Sequence, residues 1–353
     1  RLPTRTELQT MRSVLGSVDK TYWSSESVDE DTAYVVNMLD GTVMTQPKVE
    51  TTEVKTLPNS MECRTSHLYN GKIYMPQNNG TKMEIYDIAT DTTEVKTLPN
   101  NMYRVTSQLY NGKIYMPQYD GTKLEIYDIE TDTTTVKTLP NSIWRRTSQL
   151  YNGKIYMPQD GGTKLEIYDI ETDTTEVKTL PTSMYRYTSQ LYNGKIYMPE
   201  YVGTTMEIYD IATDTTEVKT LPNNMERFTS HLYNGKIYMP QDGGKNLEIY
   251  DIATNTTEVK TLPNYMWRST SHLYNGKIYM PQDGGKNLEI YDIATGTTTV
   301  KTLPNSMRRL TSQLYNGKIY MPQYDGTNLE IYNLPIPTRY VRDNTETRRC
   351  QVR

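Results

Sequence analysis

The chain is poor in the residues that most readily announce chemistry. It holds two cysteines, Cys63 and Cys350, one phenylalanine, three tryptophans and three histidines among 353 residues. Two cysteines cannot build a disulfide framework, and both can stand as free thiols. No apolar run approaches the roughly 20 residues of a membrane-spanning helix. Basic residues are not in excess, with 38 Lys and Arg against 42 Asp and Glu and a net charge of −4. There is therefore no footprint for nucleic acid or for an anionic membrane. Phosphate-binding loops, nucleophile elbows and metal-ligand spacings are missing as well. These absences point to a protein with no cofactor, no metal and no catalytic group, and thus to something other than an enzyme. The chain opens on Arg1, not Met, as a fragment or a processed product would, so the lack of a signal peptide assigns no compartment.

What the chain does have is a repeat. The string LYNGKIYMP recurs seven times, with its first tyrosine at Tyr69, Tyr110, Tyr151, Tyr192, Tyr233, Tyr274 and Tyr315, always 41 residues apart. A unit this short cannot bury its own apolar face and needs neighbours, so repetition decides the architecture. The repeat also explains the 31 tyrosines, most of which occupy fixed positions in the unit.

The copy from Thr92 to Asp132 holds four short β-like runs between turn signals. Thr93–Leu98 is expected to stop at Pro99. Thr106–Tyr110 is joined by Asn111-Gly112, the strongest two-residue hairpin signal, to Lys113–Met116. Lys123–Tyr127 follows. A two-residue turn sets Leu109 opposite Ile114 and Tyr110 opposite Lys113. Leu109, Ile114 and Met116 then share one face, and Tyr110 and Tyr115 the other. Both faces are apolar or aromatic, as in sheets packed on both sides. Four antiparallel strands in about 41 residues fit a propeller blade.

The wording of the unit resembles the kelch family over about residues 51–333. The matching pieces are the Asn-Gly-Lys-Ile-Tyr hairpin, Tyr127-Asp128-Ile129-Glu130-Thr131 and Leu98-Pro99-Asn100-Asn101-Met102. The family's double glycine is replaced by Met116-Pro117-Gln118, and its outer-strand Trp by Thr93. The resemblance implies an all-β propeller, with TEVKTL as outer strand d, TSQLY as inner strand a, KIYM as b and LEIY as c. The first d strand, Thr52–Leu57, is expected to complete the last blade and close a ring of seven. The alternative is eight blades, with Tyr34–Met44 as a decayed b–c hairpin and Tyr340-Val341 as a final d strand. Residues 1–50 read as an extension carrying a short helix capped by Thr4 and Glu7, 51–333 as the propeller, and 334–353 as a flexible tail.

Comparison of the copies locates the variation. The a–b and c–d turns barely change, whereas the d–a and b–c loops carry nearly all the differences, and connectivity puts those two loops on one face of the disc. In the d–a loop one variable position holds Glu62, Tyr103, Trp144, Tyr185, Glu226, Trp267 and Arg308. A second holds Arg64, Val105, Arg146, Tyr187, Phe228, Ser269 and Leu310. The b–c loops add Tyr119, Tyr201 and Tyr324. Trp, Tyr and Arg bring large contact area at low entropic cost, so this face is the candidate binding surface. Between the two variable positions stands a nearly constant arginine: Arg104, Arg145, Arg186, Arg227, Arg268 and Arg309, with Cys63 in the first copy. Standing just before strand a, these arginines are expected near the mouth of the central channel. There they would hold carboxylate or phosphate, or else serve the scaffold by pairing with a neighbouring blade. Six guanidiniums in a ring repel by only about 0.4 kcal/mol per pair at 10 Å in water.

Other constellations point to structure. His67, His231 and His272 share a unit position with Gln108, Gln149, Gln190 and Gln313, which reads as a hydrogen-bonding role on strand a. Asp160, Asp242 and Asp283 sit in Asp-Gly-Gly loops and lack the spaced carboxylates of a Ca²⁺ site. The glutamate at position 125 and its copies are expected to face the strand-d lysine across the c–d pair. The resulting expectation is a binding or scaffold module whose d–a and b–c loops hold a protein or peptide with acidic groups, as kelch propellers commonly do. Alternatives are a lectin-like propeller and, less favoured, an enzyme of the galactose-oxidase type.

Overall fold

The computed structural model describes residues 51–334 in full and, before them, the backbone of three strands, Thr21–Ser27, Thr32–Asn37 and Val43–Pro47. The capped helix expected at Thr4–Gly16, the strand expected at Tyr340-Val341 and the tail lie outside the described residues. The chain divides into two compact units. Among described residues, the smaller holds the three N-terminal strands, residues 51–55, Leu314–Tyr320 and residues 330–334. The larger comprises Thr56–Gln313 and Met321–Leu329.

The repeat region forms seven four-stranded antiparallel sheets arranged in a ring, a seven-bladed β-propeller with no helix among the described residues. Blade 2 shows the pattern. Strand a is Gln108–Tyr110, b is Lys113–Pro117, c is Asp120–Asp128 and d is Thr133–Trp144. Tyr110 stands opposite Lys113 and Leu109 opposite Ile114, the register the turn demands. Asn111 and Gly112 have φ of 47° and 70°, the pair of left-handed residues that a type I′ turn requires. The last blade takes strands a to c from Gln313–Tyr315, Lys318–Pro322 and Asn328–Asn333 and its outer strand from Thr51–Thr56. Ser66 Oγ meets Thr311 Oγ1 at 2.8 Å, and Gln313 Nε2 donates to Ser66 O at 2.8 Å, closing the inner belt.

In the smaller unit Thr32–Asn37 pairs antiparallel with Val43–Pro47, with Val35 opposite Met44 and Val36 opposite Val43. It joins Thr21–Ser27 in a three-stranded sheet of its own, and the blades number seven.

The core lies between blades. Tyr74, Met83, Ile85, Leu98 and Met102 of blade 1 pack on Ile114, Met116 and Tyr127 of blade 2, with Leu109 at the margin. Methionines at the Met116 position are fully buried in every copy. The hairpin register places them there, because it turns Leu109, Ile114 and Met116 to one face.

Two expectations about the unit need correction. Strand d does not stop at Pro99 but runs from Thr92 to Met102. Its pairing with strand c jumps from Lys82 opposite Thr97 to Gly80 opposite Met102, so Pro99 lies in a bulge where its missing N–H costs no ladder bond. The glutamate also does not face a lysine. Glu125 stands opposite Val136, while Lys137 stands opposite Leu124. The strand-d lysine reaches the next blade instead, with Lys96 Nζ 2.6 Å from Asp132 Oδ2.

The six constant arginines answer that bulge. Arg104 is fully buried and sits between blades 1 and 2, not at the channel mouth. Its Nε and Nη2 donate to Glu125 Oε2 at 3.1 and 2.6 Å. Nη1 donates to Gly80 O at 2.6 Å and Gln77 O at 3.0 Å, and Nη2 to Asn100 O at 2.7 Å. Glu125 Oε1 accepts from Asn100 N and Nδ2 at 3.0 and 2.8 Å. The ion pair thus satisfies the bulge and locks each blade to the next. Arg145–Glu166, Arg186–Glu207, Arg227–Glu248 and Arg268–Glu289 repeat it with both side chains wholly buried. Arg309 is equally buried and bonds Gln282 O, Gly285 O and Asn305 O. The reading of Arg104, Arg145, Arg186, Arg227, Arg268 and Arg309 as ligand-binding groups is therefore corrected. A guanidinium with every donor engaged away from solvent has none left for an anion.

Candidate binding face

On the variable face the backbone of the d–a and b–c loops is closed on itself. Tyr119 N donates to Tyr103 O at 2.9 Å, Asp160 N to Trp144 O at 2.8 Å and Tyr201 N to Tyr185 O at 2.7 Å. Asp283 N donates to Trp267 O and Tyr324 N to Arg308 O in the same way. From Tyr103 to Arg308 the first variable position is so pinned through its carbonyl to the next blade, while its side chain is left over. The d–a segment is extended, which sends alternate side chains to opposite sides. Tyr103, Trp144, Tyr185, Trp267 and Arg308 are exposed, the arginine after each is buried, and the second variable position is half-buried or buried.

The b–c loops come in two forms that do the same task. In the Asp-Gly-Gly loops the carboxylate accepts the N–H of the constant arginine, as Asp160 Oδ1 does from Arg186 N at 3.0 Å. In the tyrosine loops a backbone carbonyl does so, as Tyr119 O from Arg145 N at 2.9 Å. The aspartates therefore serve turn chemistry, with Gly161, Gly243 and Gly284 at positive φ behind them.

The half-buried set converges. Arg146 lies over the Tyr187 ring with Cζ 3.9 Å from its centroid, and over Tyr119 at 5.1 Å. Tyr187 stacks on Tyr201 with centroids 3.7 Å apart, and Phe228 meets Tyr187 edge-on at 5.4 Å. Trp144 stacks beside Tyr119 at 6.0 Å. Arg146 Nε is held by Asp160 Oδ2 at 2.8 Å. The result is a continuous run of rings and one guanidinium from Trp144 to Phe228, including two contacts between residues 41 apart in sequence. A second group joins Arg64 and Arg308 over Tyr324, at 5.2 and 4.7 Å. Such contacts are worth about 0.5–2 kcal/mol each and hold the rings in fixed attitudes.

Charge divides the face. Glu226 and Asp283 gather around Asp242. Burial is the largest influence on Asp242, and it pushes this carboxyl up to about 6, with Glu226 and Asp283 adding to the rise. Burial likewise raises the Asp160 carboxyl, and Arg146 opposes it.

Of the residues singled out from sequence, Trp144, Arg146, Tyr119, Tyr201 and Phe228 come together, and so do Arg308 and Tyr324. Tyr103 and Tyr185 stand exposed at the rim. Trp267 lines a separate groove of about 390 Å³ with Tyr265, Met266, Asp283 and Arg308. Tyr265 was missed. It is 71 % exposed, and its unit position holds Ser or Asn in five other copies and Asn101 in the one discussed, so the copy-to-copy comparison carried the signal.

The histidines lie on the inner belt. His67 Nε2 bonds Ser107 Oγ at 2.7 Å and His231 Nε2 bonds Ser271 Oγ at 2.8 Å, where Gln108 Nε2 bonds Ser148. Burial lowers both imidazoles to about 4 and keeps them neutral. Among the described residues no three His, Cys, Asp or Glu side chains gather as metal ligands.

No protein-family model and no curated protein matches the chain. Solved structures do. A streptogramin B lyase is similar with a TM-score of 0.71 at 14 % identity, covering 80 % of this chain and 98 % of that one. Virginiamycin B lyase from Staphylococcus aureus gives 0.71 at 10 % identity, over 81 % and 100 %. YCF48 bound to D1 peptide gives 0.65 at 10 % identity, over 80 % and 96 %. These likenesses establish the propeller fold. They also overturn the expectation that the chain is not an enzyme, since lyases are built on this same ring of blades and the absence of familiar motifs excludes no catalysis.

Proposed function

We propose that the d–a and b–c loop face binds a protein or peptide partner. The observation that carries this reading is the run of rings from Trp144 through Tyr119, Arg146, Tyr187 and Tyr201 to Phe228. These side chains are fixed by one another, so little entropy is lost when a partner covers them. Trp144, Tyr185 and Trp267 are the apolar anchors. Arg146 and Arg308 supply positive charge for a partner's carboxylates, with Arg308 the freer of the two. Support comes from the kelch resemblance, which implies use of these same loops, and from the structural likeness to YCF48 bound to D1 peptide.

The test is capture of partners with the intact protein, followed by affinity measurement for wild type and for Trp144→Ala/Trp267→Ala. A loss of tenfold or more is expected, because buried aromatic anchors cost at least about 1.4 kcal/mol each when truncated. Unchanged affinity of an established partner would sink the assignment. A glycan panel run in parallel tests the lectin-like reading, which the groove beside Trp267, Tyr265 and Asp283 favours through its pairing of flat rings with a carboxylate.

A further inference from the structure

One repeat breaks the arginine rule: its d strand ends at Thr56 and Glu62 turns to φ 48°, yet the glutamate that the arginine pairs with elsewhere is retained. Cys63 stands where Arg104 and its five copies stand. Its thiol is buried and donates to Thr65 O at 2.9 Å, and burial pushes it up to about 12, so it is neither a charge nor a donor to the neighbouring glutamate. That glutamate, Glu84, is kept and is wholly buried. Its Oε1 accepts from Asn59 N and Nδ2 at 2.8 and 2.9 Å, as Glu125 does from Asn100. No donor among the described residues reaches its Oε2, the atom that in five other copies receives two arginine hydrogen bonds. By the repeat, the carbonyls of Asn59, Met61, Gln323 and Gly326 correspond to those that Arg104 bonds at Asn100, Met102, Gln77 and Gly80.

An unpaired buried carboxylate oxygen is costly, and a planar cation with several donors is the chemical complement of one carboxylate edge and a set of carbonyls. We propose that the Cys63 position is a buried guanidinium-binding site, in which Glu84 Oε2 and these carbonyls receive the donors that an arginine side chain supplies in the other copies. A metal ion fits less well, because Glu84 is not joined there by a second and a third His, Cys, Asp or Glu ligand among the described residues. The site is separate from the loop-face run of rings and does not depend on it.

Thermal unfolding tests this directly. In about 5–20 mM guanidinium chloride, far below denaturing levels, the wild-type Tm should rise by about 2 °C relative to equal NaCl, because a ligand bound only by the native state stabilises it. Cys63→Arg should start with a higher Tm and show no rise. Glu84→Gln should fold and show no rise either, which keeps the test decisive if Cys63→Arg misfolds. N-acetylarginine amide in a parallel arm separates sources. A rise with it identifies an arginyl side chain as an acceptable ligand, and a rise with guanidinium alone restricts the site to the free cation. Equal responses of wild type and Glu84→Gln, an equal rise with KCl, or no rise at all would overturn the proposal.

Discussion

The two faces of the propeller are built by opposite rules. On the a–b and c–d face, repeated side chains close the backbone. Asp128 Oδ1 accepts from Glu130 N and Thr131 N, Tyr127 Oη donates to Asp132 Oδ1, and Ile129 N donates to Gly112 O. Where Asp132 has a counterpart, it is Asp, Asn255 or Gly296, all at positive φ near 55–70°, the conformation those residue types tolerate. On the d–a and b–c face, backbone bonds backbone at the first variable position, and the side chain is not needed to close the main chain. Repetition holds where a side chain completes the main chain and lapses where it does not. The variable face is thus free to differ, and its Trp, Tyr and Arg content is what a binding role would draw from that freedom.

The sharpest way to break the comparison is to remove a side chain that belongs to the scaffold yet lies between the two variable positions. Arg186→Ala leaves Glu207 buried without its cation and strips donors from Gln159 O, Gly162 O and Thr182 O. A loss of about 3–5 kcal/mol is expected in urea unfolding. A change under about 1 kcal/mol would return this arginine to the variable face.

Next in size, and opposite in sign, is Asp242→Asn. The folded carboxyl titrates at about 6 against an ordinary value of 3.8, so the fold favours its protonated form. That contribution is fully present below the ordinary value and is lost as pH rises through about 6. Asparagine cannot ionise and keeps an acceptor for Arg268 N. The variant should match wild type near pH 4 and gain roughly 1–3 kcal/mol above pH 7, read as a flatter dependence of Tm on pH. A parallel displacement of the two curves would show that the carboxyl is not titrating in this range.

On the constant face, Gly194→Ala should cost about 1–2 kcal/mol in the same unfolding assay. Its φ is 71°, and an added Cβ would meet Tyr151 Oη only at ordinary contact distance, so the cost is conformational. A loss under about 0.3 kcal/mol would show that the turn tolerates a side chain at this φ.

The sequence made the ring legible because Asn-Gly fixes φ at two residues, which fixes the register, which sorts Leu109, Ile114 and Met116 from Tyr110 and Tyr115. The borrowed strand at Thr51–Thr56 followed from counting. The arginine–glutamate lock did not, because its members are local in neither chain nor blade. Arg104 meets Glu125 of the next blade and carbonyls of Gln77 and Gly80 from the one before. A lysine and an arginine in the same unit offered glutamate two partners, and spacing alone favoured the wrong one. The strand-d bulge that makes the lock necessary was hidden by Pro99, which reads as a stop. Of the candidate site, the exposed anchors were visible as copy-to-copy changes. Their grouping into one run of rings was not, since it depends on how far each half-buried side chain reaches across a blade boundary.

The smallest expected effect on stability carries the comparison furthest. Trp144 and Trp267 are 49 % and 59 % exposed, and their backbone groups are bonded whatever the side chain. Trp144→Ala/Trp267→Ala should therefore shift unfolding by no more than about 0.5 kcal/mol per site, the ordinary range of surface substitutions. Trp144 has one scaffold contact, its stacking on Tyr119, so it should account for most of whatever shift is seen. A loss of several kcal/mol would mean that these rings are packing groups between blades, which would move them from the variable face to the scaffold. Near-silent unfolding together with a tenfold or greater loss of partner affinity would separate the two roles at single residues.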